Sequence, residues 1–218
     1  MKGQDLKNVK LAYDTVAKEY AAAYGDEHSR KPMDREMLER FAREIGGRGP
    51  VWDLGCGPGQ TARYLKDRGV DIAGLDLSGK LLAEARKLSP DISFRQGDML
   101  ALDFDDGTVA GIVAFYAIVH FIKDQAEAAF REIFRVLEPG GLFLLTFHIG
   151  DETLHVDEFL GKKIEVDFMF FTTEFIAGCL KKCGFNKIDL IEREPYPDVE
   201  YRSRRAYVFA VKPRAAGG

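Results

Sequence analysis

The chain has 218 residues, 46% of them hydrophobic, and sets 31 Lys and Arg against 35 Asp and Glu for a formal net charge of −4. That length and composition suit one globular domain, or one domain with a small attached cap, and exclude a disordered or fibrous chain. The charge lacks the basic excess of a nucleic-acid-binding module, no run approaches the roughly 18 apolar residues of a membrane span, and no apolar signal segment opens the sequence, so a cytoplasmic protein is expected.

From Leu6 to Tyr24 the residues Leu6, Val9, Tyr13, Val16, Ala17 and Tyr20 recur at spacings of three and four, the signature of a helix with one apolar face, closed by Gly25. Met33, Met37, Phe41 and Ile45 repeat the pattern, with Pro32 at the start and Gly46-Gly47 at the end. After Pro50 short apolar runs alternate with helical segments. Strands are expected at Val51–Leu54, Val70–Leu77, Ile92–Arg95, Val109–Phe115 and Leu142–Phe147. Helices are expected at Thr61–Arg68, from an N-cap at Ser78 through Leu88, and at Gln125–Leu137, the last stopped by Glu138-Pro139-Gly140-Gly141. Apolar strands alternating with amphipathic helices make a parallel sheet covered on both faces. A helix at Thr172–Cys183 follows, capped by Thr172 and ended by Gly184. Strands at Phe185–Glu194 and Tyr201–Val211 are joined by a link too short for a crossover, so the sheet ends in an antiparallel hairpin. The Ala-Ala-Gly-Gly tail is expected to be disordered.

Three cysteines, Cys56, Cys179 and Cys183, show no disulfide spacing and favour a reducing compartment; Cys179 and Cys183, four apart on a helix, read as small core residues. Neither they nor His28, His120, His148 and His155 show metal-ligand spacing, so no metal is expected. The densest basic stretch is Arg202, Arg204 and Arg205, of which Arg202 and Arg204 share a strand face and are read as solvent-facing.

The chemical signal begins at Val51-Trp52-Asp53-Leu54-Gly55-Cys56-Gly57-Pro58-Gly59. A strand runs into glycines and a helix follows, which lets the main chain turn sharply and a ligand approach it closely. Asp76 ends the next strand, 17 residues beyond Gly59, where a carboxylate can accept from both hydroxyls of a ribose. A dinucleotide fingerprint needs a third glycine at position 60, which is Gln60. Pro58 offers no N–H to a pyrophosphate, and Asp53 would repel one while suiting an ammonium. The pattern favours a nucleoside cofactor with an amino-acid end and no phosphate.

Asp53-Leu54-Gly55-Cys56-Gly57-Pro58-Gly59 resembles the first motif of the class I S-adenosylmethionine-dependent methyltransferases, of the small-molecule type. Gly74-Leu75-Asp76-Leu77-Ser78 resembles the ribose-binding motif, Gln96-Gly97-Asp98-Met99 the adenine-binding turn, and Leu137-Glu138-Pro139-Gly140-Gly141 the turn before the fifth strand, together covering roughly residues 50 to 147 in order and in register. The resemblance implies an α/β, Rossmann-like, seven-stranded and mostly parallel sheet with helices on both faces, its last strand antiparallel. It implies an N-terminal helical lid at 1–47, a core at 48–213 and a tail at 214–218. It assigns the methionine amino group to Asp53 and the Gly55 backbone, close approach to Gly57 and Gly59, the ribose to Asp76, and adenine to Asp98 and the Met99 N–H. Cys56, Leu77 and Tyr116 lie within or beside these motifs and join the cofactor-site candidates. Tyr13, Ala17 and Tyr20 resemble a Tyr-Asp-x-x-Ala-x-x-Tyr pattern whose tyrosines meet the methionine end; packing of these rings in the core is the competing reading.

His120 follows the fourth strand and His148 directly follows the fifth, at the strand ends where ligands sit in open parallel sheets. If the acceptor is a hydroxyl, His120, or alternatively His148, is the candidate general base; each could instead be a structural histidine. Gly150–Phe171, with His155, Phe159, Phe168, Phe170 and Phe171, offers a wall for a flat or lipophilic acceptor, or a satellite core. The expected protein transfers the methyl group of S-adenosyl-L-methionine to a small-molecule acceptor, as a monomer or homodimer with no nucleic-acid or membrane partner. An NAD(P)-dependent oxidoreductase and a non-catalytic S-adenosylmethionine-binding protein are the alternatives.

Overall fold

The computed structural model describes residues 5–214; the expectations for Met1–Gln4 and for 215–218 fall outside them. The apolar runs become β1 (Val51–Leu54), β2 (Ile72–Asp76), β3 (Phe94–Gln96), β4 (Val109–Phe115) and β5 (Leu137–Ile149), and the closing hairpin becomes β8 (Asn186–Arg193) and β9 (Arg204–Val211). They form a seven-stranded sheet in the order β3-β2-β1-β4-β5-β9-β8. β9 runs antiparallel to both of its neighbours and the other pairs are parallel. The chain winds outward from β1 to β3 and then returns to β4 on the other side of β1. The carboxyl ends of β1 and β4 therefore flank the switch point at which such sheets open a crevice.

Helices α2 (Pro32–Ile45), α3 (Gln60–Lys66) and α4 (Gly79–Leu88) bury Leu38, Phe41, Leu65 and Leu82 against one face of the sheet. Helices α5 (Lys123–Val136) and α6 (Thr173–Cys183) bury Phe130, Ile133, Ile176 and Cys179 on the other. The caps follow the sequence: Ser78 Oγ accepts from the Leu81 N–H at 3.1 Å, and Thr172 Oγ1 from the Phe175 N–H at 3.2 Å. β5 begins five residues before the expected start. Its register against β4 shifts between Val109 and Gly111, so Glu138-Pro139-Gly140-Gly141 forms an irregularity inside the strand rather than a turn before it.

Three elements were not expected. Residues Glu27–Arg30 form a 3₁₀ turn between α1 (Leu6–Tyr24) and α2. Within Gly150–Phe171, β6 (Thr153–Phe159) and β7 (Lys162–Met169) pair as an antiparallel ribbon outside the main sheet. A two-residue loop joins them, with Leu160 at φ 51° and Gly161 at φ 74°, both left-handed as a type I′ turn requires. This ribbon packs against α1: Ala12 and Val16 bury against Ile164 and Val166, with Tyr13, Tyr20, Phe159 and Phe168 around them. Helix α1 also lies along α4. Helix α1 and the ribbon thus form a cap over the sheet, whereas α2, within the first 47 residues, is part of the sheet packing. Among the described residues no helix is long and apolar enough to cross a membrane, and no cluster of His, Cys, Asp or Glu could hold a metal ion.

Candidate active site

Between the cap and the carboxyl ends of β1, β2, β4 and β5 lies a cavity of about 530 Å³, a volume typical of small-molecule and cofactor sites. Its floor is the glycine turn after β1. Gly55 sits at φ 68°, and a Cβ there would stand 2.6 Å from the Ala117 Cβ, so a larger residue would push β1 and β4 apart. The Gly57 N–H donates to Asp76 Oδ2 at 2.8 Å, and the Ser78 N–H donates to Asp76 Oδ1 at 2.8 Å. Both carboxylate oxygens are thus fixed by main-chain donors while each keeps a lone pair for a ligand. Burial raises the Asp76 pKa, against the lowering by those two N–H groups. Gly55, Gly57, Asp76, Leu77 and Met99 line the cavity; Asp53, Cys56, Gly59 and Asp98 do not.

These last four stand just behind the wall. Asp53 is 1% exposed, its Oδ2 has no hydrogen-bond partner among the described residues, and burial, with the nearby Asp76 charge, pushes its pKa up to about 8. The Cys56 thiol lies against Phe94 at the position a Cβ on Gly74 would claim. A Cβ on Gly59 would stand 2.7 Å from the Phe94 ring, so that glycine serves packing of α3 on the sheet. Asp98 Oδ1 accepts from the Leu100 N–H at 2.8 Å and closes its own turn.

The cap brings Tyr13, Tyr20 and His120 to the same space. A Tyr20 ring carbon lies 3.7 Å from where a Cβ on Gly57 would be, so the ring covers the glycine turn directly. Tyr13 packs edge-on against Tyr20 with ring centroids 5.5 Å apart. His120 Nδ1 lies 2.8 Å from the Asp167 carbonyl, which only accepts, so Nδ1 carries the hydrogen and Nε2 accepts from the Tyr13 hydroxyl at 2.8 Å. Burial lowers the His120 pKa to about 4. The ring is neutral, and its lone pair is already engaged by Tyr13.

His148 is fixed from the other side. The Arg205 guanidinium donates to Ser203 Oγ at 3.1 Å, and the same oxygen shares a hydrogen bond with His148 Nδ1 at 2.6 Å. Burial and the nearby Arg205 and Lys31 charges push its pKa down to about 3. His120 presents no unengaged lone pair to the cavity, and its contacts equip it to hold Tyr13.

Phe159, Phe168 and Phe170 of the expected acceptor segment line the cavity, while exposed His155 pairs with Asp167 at 2.7 Å and Phe171 lies in the core. Sequence reasoning missed Glu27, Lys31, Gln60, Glu200 and Arg205, all of which line it as well. Glu27 and Lys31 lie in or beside the unforeseen 3₁₀ turn. Arg205 carried a readable signal: strand alternation that sends Arg204 to solvent sends Arg205 inward, where its side chain is 3% exposed.

Residues 51–141 match the family model described as a methyltransferase domain. The chain is 31% identical over 137 residues to a malonyl-[acyl-carrier protein] O-methyltransferase of Enterobacter lignolyticus, covering 60% of this chain and 54% of the relative. It is 36% identical over 123 residues to a probable S-adenosylmethionine-dependent methyltransferase of Mycolicibacterium smegmatis, covering 54% and 47%. The chain thus spans about half the length of these curated relatives. Its fold matches phosphoethanolamine N-methyltransferase 2 of Haemonchus contortus, solved in complex with phosphomonomethylethanolamine and S-adenosylhomocysteine, with a TM-score of 0.73 at 19% identity over 98% of this chain and 61% of that one. With its glycine turn, its pinned strand-end carboxylate and its 3-2-1-4-5-9-8 sheet, the chain is similar to the class I S-adenosylmethionine-dependent methyltransferases, and residues 51–141 match a methyltransferase domain.

Proposed function

We propose that the protein is an enzyme that transfers the methyl group of S-adenosylmethionine to a small-molecule acceptor held beneath the cap of α1 and the β6–β7 ribbon. The observation that carries this is the arrangement of Asp76: pinned by the Gly57 and Ser78 N–H groups, it faces a cavity whose roof, Tyr20, lies directly over the glycine turn. A nucleoside fits between such a carboxylate and such a turn. When bound, S-adenosylmethionine supplies a methyl carbon on a sulfonium, open to in-line displacement.

The residues of this chain bind, orient and exclude water. Asp76 would accept from the ribose hydroxyls, and Met99 would bound the adenine side. Gln60 Oε1 is a buried acceptor with no partner among the described residues, on a side chain whose Nε2 donates to Glu27 at 2.9 Å, and it suits the ammonium of the methionine end. Asp53, kept protonated near neutral pH by burial, ionises more readily once that cation is close. Tyr13, Tyr20, Tyr24, Phe159 and Phe168 surround the space with ring faces and edges, which suits a sulfonium and shuts out bulk water. His120 locks the Tyr13 hydroxyl in place, so any acceptor proton reaches His120 only through Tyr13.

Incubation with methyl-labelled S-adenosylmethionine and a panel of small hydroxyl, amine, thiol and carboxylate compounds tests the proposal. Label entering one compound, with matching release of S-adenosylhomocysteine, is the expected result. Tight cofactor binding with no transfer to any compound, including a small-molecule extract of the source cells, would favour the non-catalytic binding protein.

A further inference from the structure

We propose that the acceptor carries an anionic oxygen group, a carboxylate or a phosphate, received by Arg205, Tyr116, His148 and Lys31 on the cavity wall built by β4, β5 and β9. The inference rests on the reading above only in that the glycine turn and Asp76 take the cofactor.

Two carboxylates reach this wall, and both are occupied. Glu200 takes the Arg193 guanidinium on both oxygens, at 2.6 and 2.8 Å, and the Tyr196 N–H at 2.9 Å. Burial alone would raise the Glu200 pKa; Arg193 and the Tyr196 N–H outweigh it and hold it at about 2. Glu27 takes Lys31 at 2.5 Å and Gln60 at 2.9 Å. An ammonium on the acceptor would find both of these carboxylates spent; buried Asp34, near Tyr116, takes Arg193 and Tyr207 on Oδ1 and does not line the cavity.

The donors are the unspent groups. Arg205 uses Nη1 on the Tyr201 carbonyl at 2.7 Å and on Ser203, but its buried Nε has no hydrogen-bond partner among the described residues, the Glu200 oxygen standing off at 3.5 Å. The Tyr116 hydroxyl is buried and has no partner among the described residues. His148 lines the same wall, its Nδ1 held by Ser203, and its Nε2 is a donor whenever the Ser203 hydroxyl supplies the hydrogen of that bond. Lys31 stands 5.4 Å over the Tyr116 ring, and Tyr116 lies 5.1 Å from the His148 ring, so the four groups form one contiguous surface. Buried donors without acceptors are rare in native proteins and costly unless a ligand satisfies them. What they lack is acceptor oxygens, and charge-assisted pairing makes an anion the strongest partner.

Two further observations agree. The charges of Arg205 and Lys31 reinforce burial in depressing the His148 pKa, so the potential at the cavity-facing ring is positive. Tyr116 is held at φ 52°, a strained conformation for a tyrosine, by its N–H bonds to the Thr146 carbonyl and hydroxyl at 3.1 and 3.0 Å. Strain retained at a cavity wall marks a side chain whose placement matters.

The test is calorimetric titration of the full chain, alone and loaded with S-adenosylhomocysteine, with four probes sharing one ring: phenylacetate, phenyl phosphate, phenethylamine and 2-phenylethanol. One or both anions should bind at least about tenfold more tightly than the amine and the alcohol, and the stronger anion identifies carboxylate or phosphate as the native group. Tyr116→Phe, which keeps the ring and its packing, should weaken the anion by about tenfold, as should Arg205→Lys. Equal affinity for the amine or the alcohol, absence of anion binding at millimolar concentration, or unchanged anion affinity in Tyr116→Phe would each overturn the proposal. Failure of S-adenosylhomocysteine to bind would count against the methyltransferase reading alone, because the anion arm is also read on the unloaded protein.

Discussion

A hydrogen bond between two uncharged rings, Tyr13 and His120, joins the cap to the end of β4, and at the scale of single residues it makes the clearest claim. His120 has its Nδ1–H on the Asp167 carbonyl and its Nε2 on Tyr13, and burial lowers its pKa to about 4. Between pH 6.5 and about 4 the unfolded chain therefore binds a proton on this ring that the folded chain does not. Stability is full above pH 6.5 and is lost as pH falls towards 4, by about 3 kcal/mol from this ring alone. Urea unfolding between pH 7 and 4 should show that loss, reduced in His120→Gln; equal slopes in the two proteins would contradict it. Tyr13→Phe removes the donor, leaves Nε2 buried without a partner, and should cost about 1–3 kcal/mol at pH 7.5. Some of this was legible in the sequence: the glycine turn, Asp76 and the two cap tyrosines came from spacing and motif. Gln60 did not, because its partner Glu27 lies 33 residues away in the chain, and Lys31 did not, because Glu200 lies further still, and local pattern brings neither pair together.

At the scale of elements the cap is tied to the sheet by a second connection. Asp14 on α1 accepts from the Ser78 hydroxyl at 2.6 Å and from the Lys80 N–H at 3.2 Å, so α1 helps to cap α4. Ser78 in turn donates its N–H to Asp76, which links the cap to the ribose-facing carboxylate through a single residue. Asp14→Ala should loosen α1, raising amide exchange across Leu6–Tyr24, and weaken S-adenosylmethionine binding by about tenfold, the size of one charge-assisted hydrogen bond. Unchanged exchange and affinity would show that α1 is held by apolar packing alone. The Asp14 latch escaped the sequence reading because its partners lie 64 and 66 residues away, and the β6–β7 ribbon escaped it for a local reason. The ribbon turns on Leu160-Gly161, and leucine at a left-handed position is not the Asn-Gly or Asp-Gly pair that marks a type I′ turn. Its residues do alternate, Val156, Ile164, Val166 and Phe168 meeting α1 and the cavity while His155 is solvated, but without a recognisable turn the pairing was not legible. The main-sheet strands were legible because burial on both faces makes them continuous apolar runs.

At the scale of the whole molecule, the sheet order places the carboxyl ends of β1 and β4 side by side, and every group assigned a role stands at that edge or in the cap above it. The parallel core and closing hairpin followed from composition, periodicity and connection length; the family resemblance added the count of seven strands. The shape of the acceptor space did not follow, since the 3₁₀ turn, the ribbon and β9 build it from three distant parts of the chain. The central claim is that the pinned Asp76 carboxylate and the glycine turn together read S-adenosylmethionine, and titration calorimetry with S-adenosylmethionine and, separately, NADH on wild type and Asp76→Ala tests it most directly. The account expects micromolar binding of S-adenosylmethionine, no binding of NADH, and a loss of about a hundredfold or more in Asp76→Ala, the size of two hydrogen bonds to a charged group. Binding of NADH without S-adenosylmethionine would contradict it and make the oxidoreductase reading the correct one.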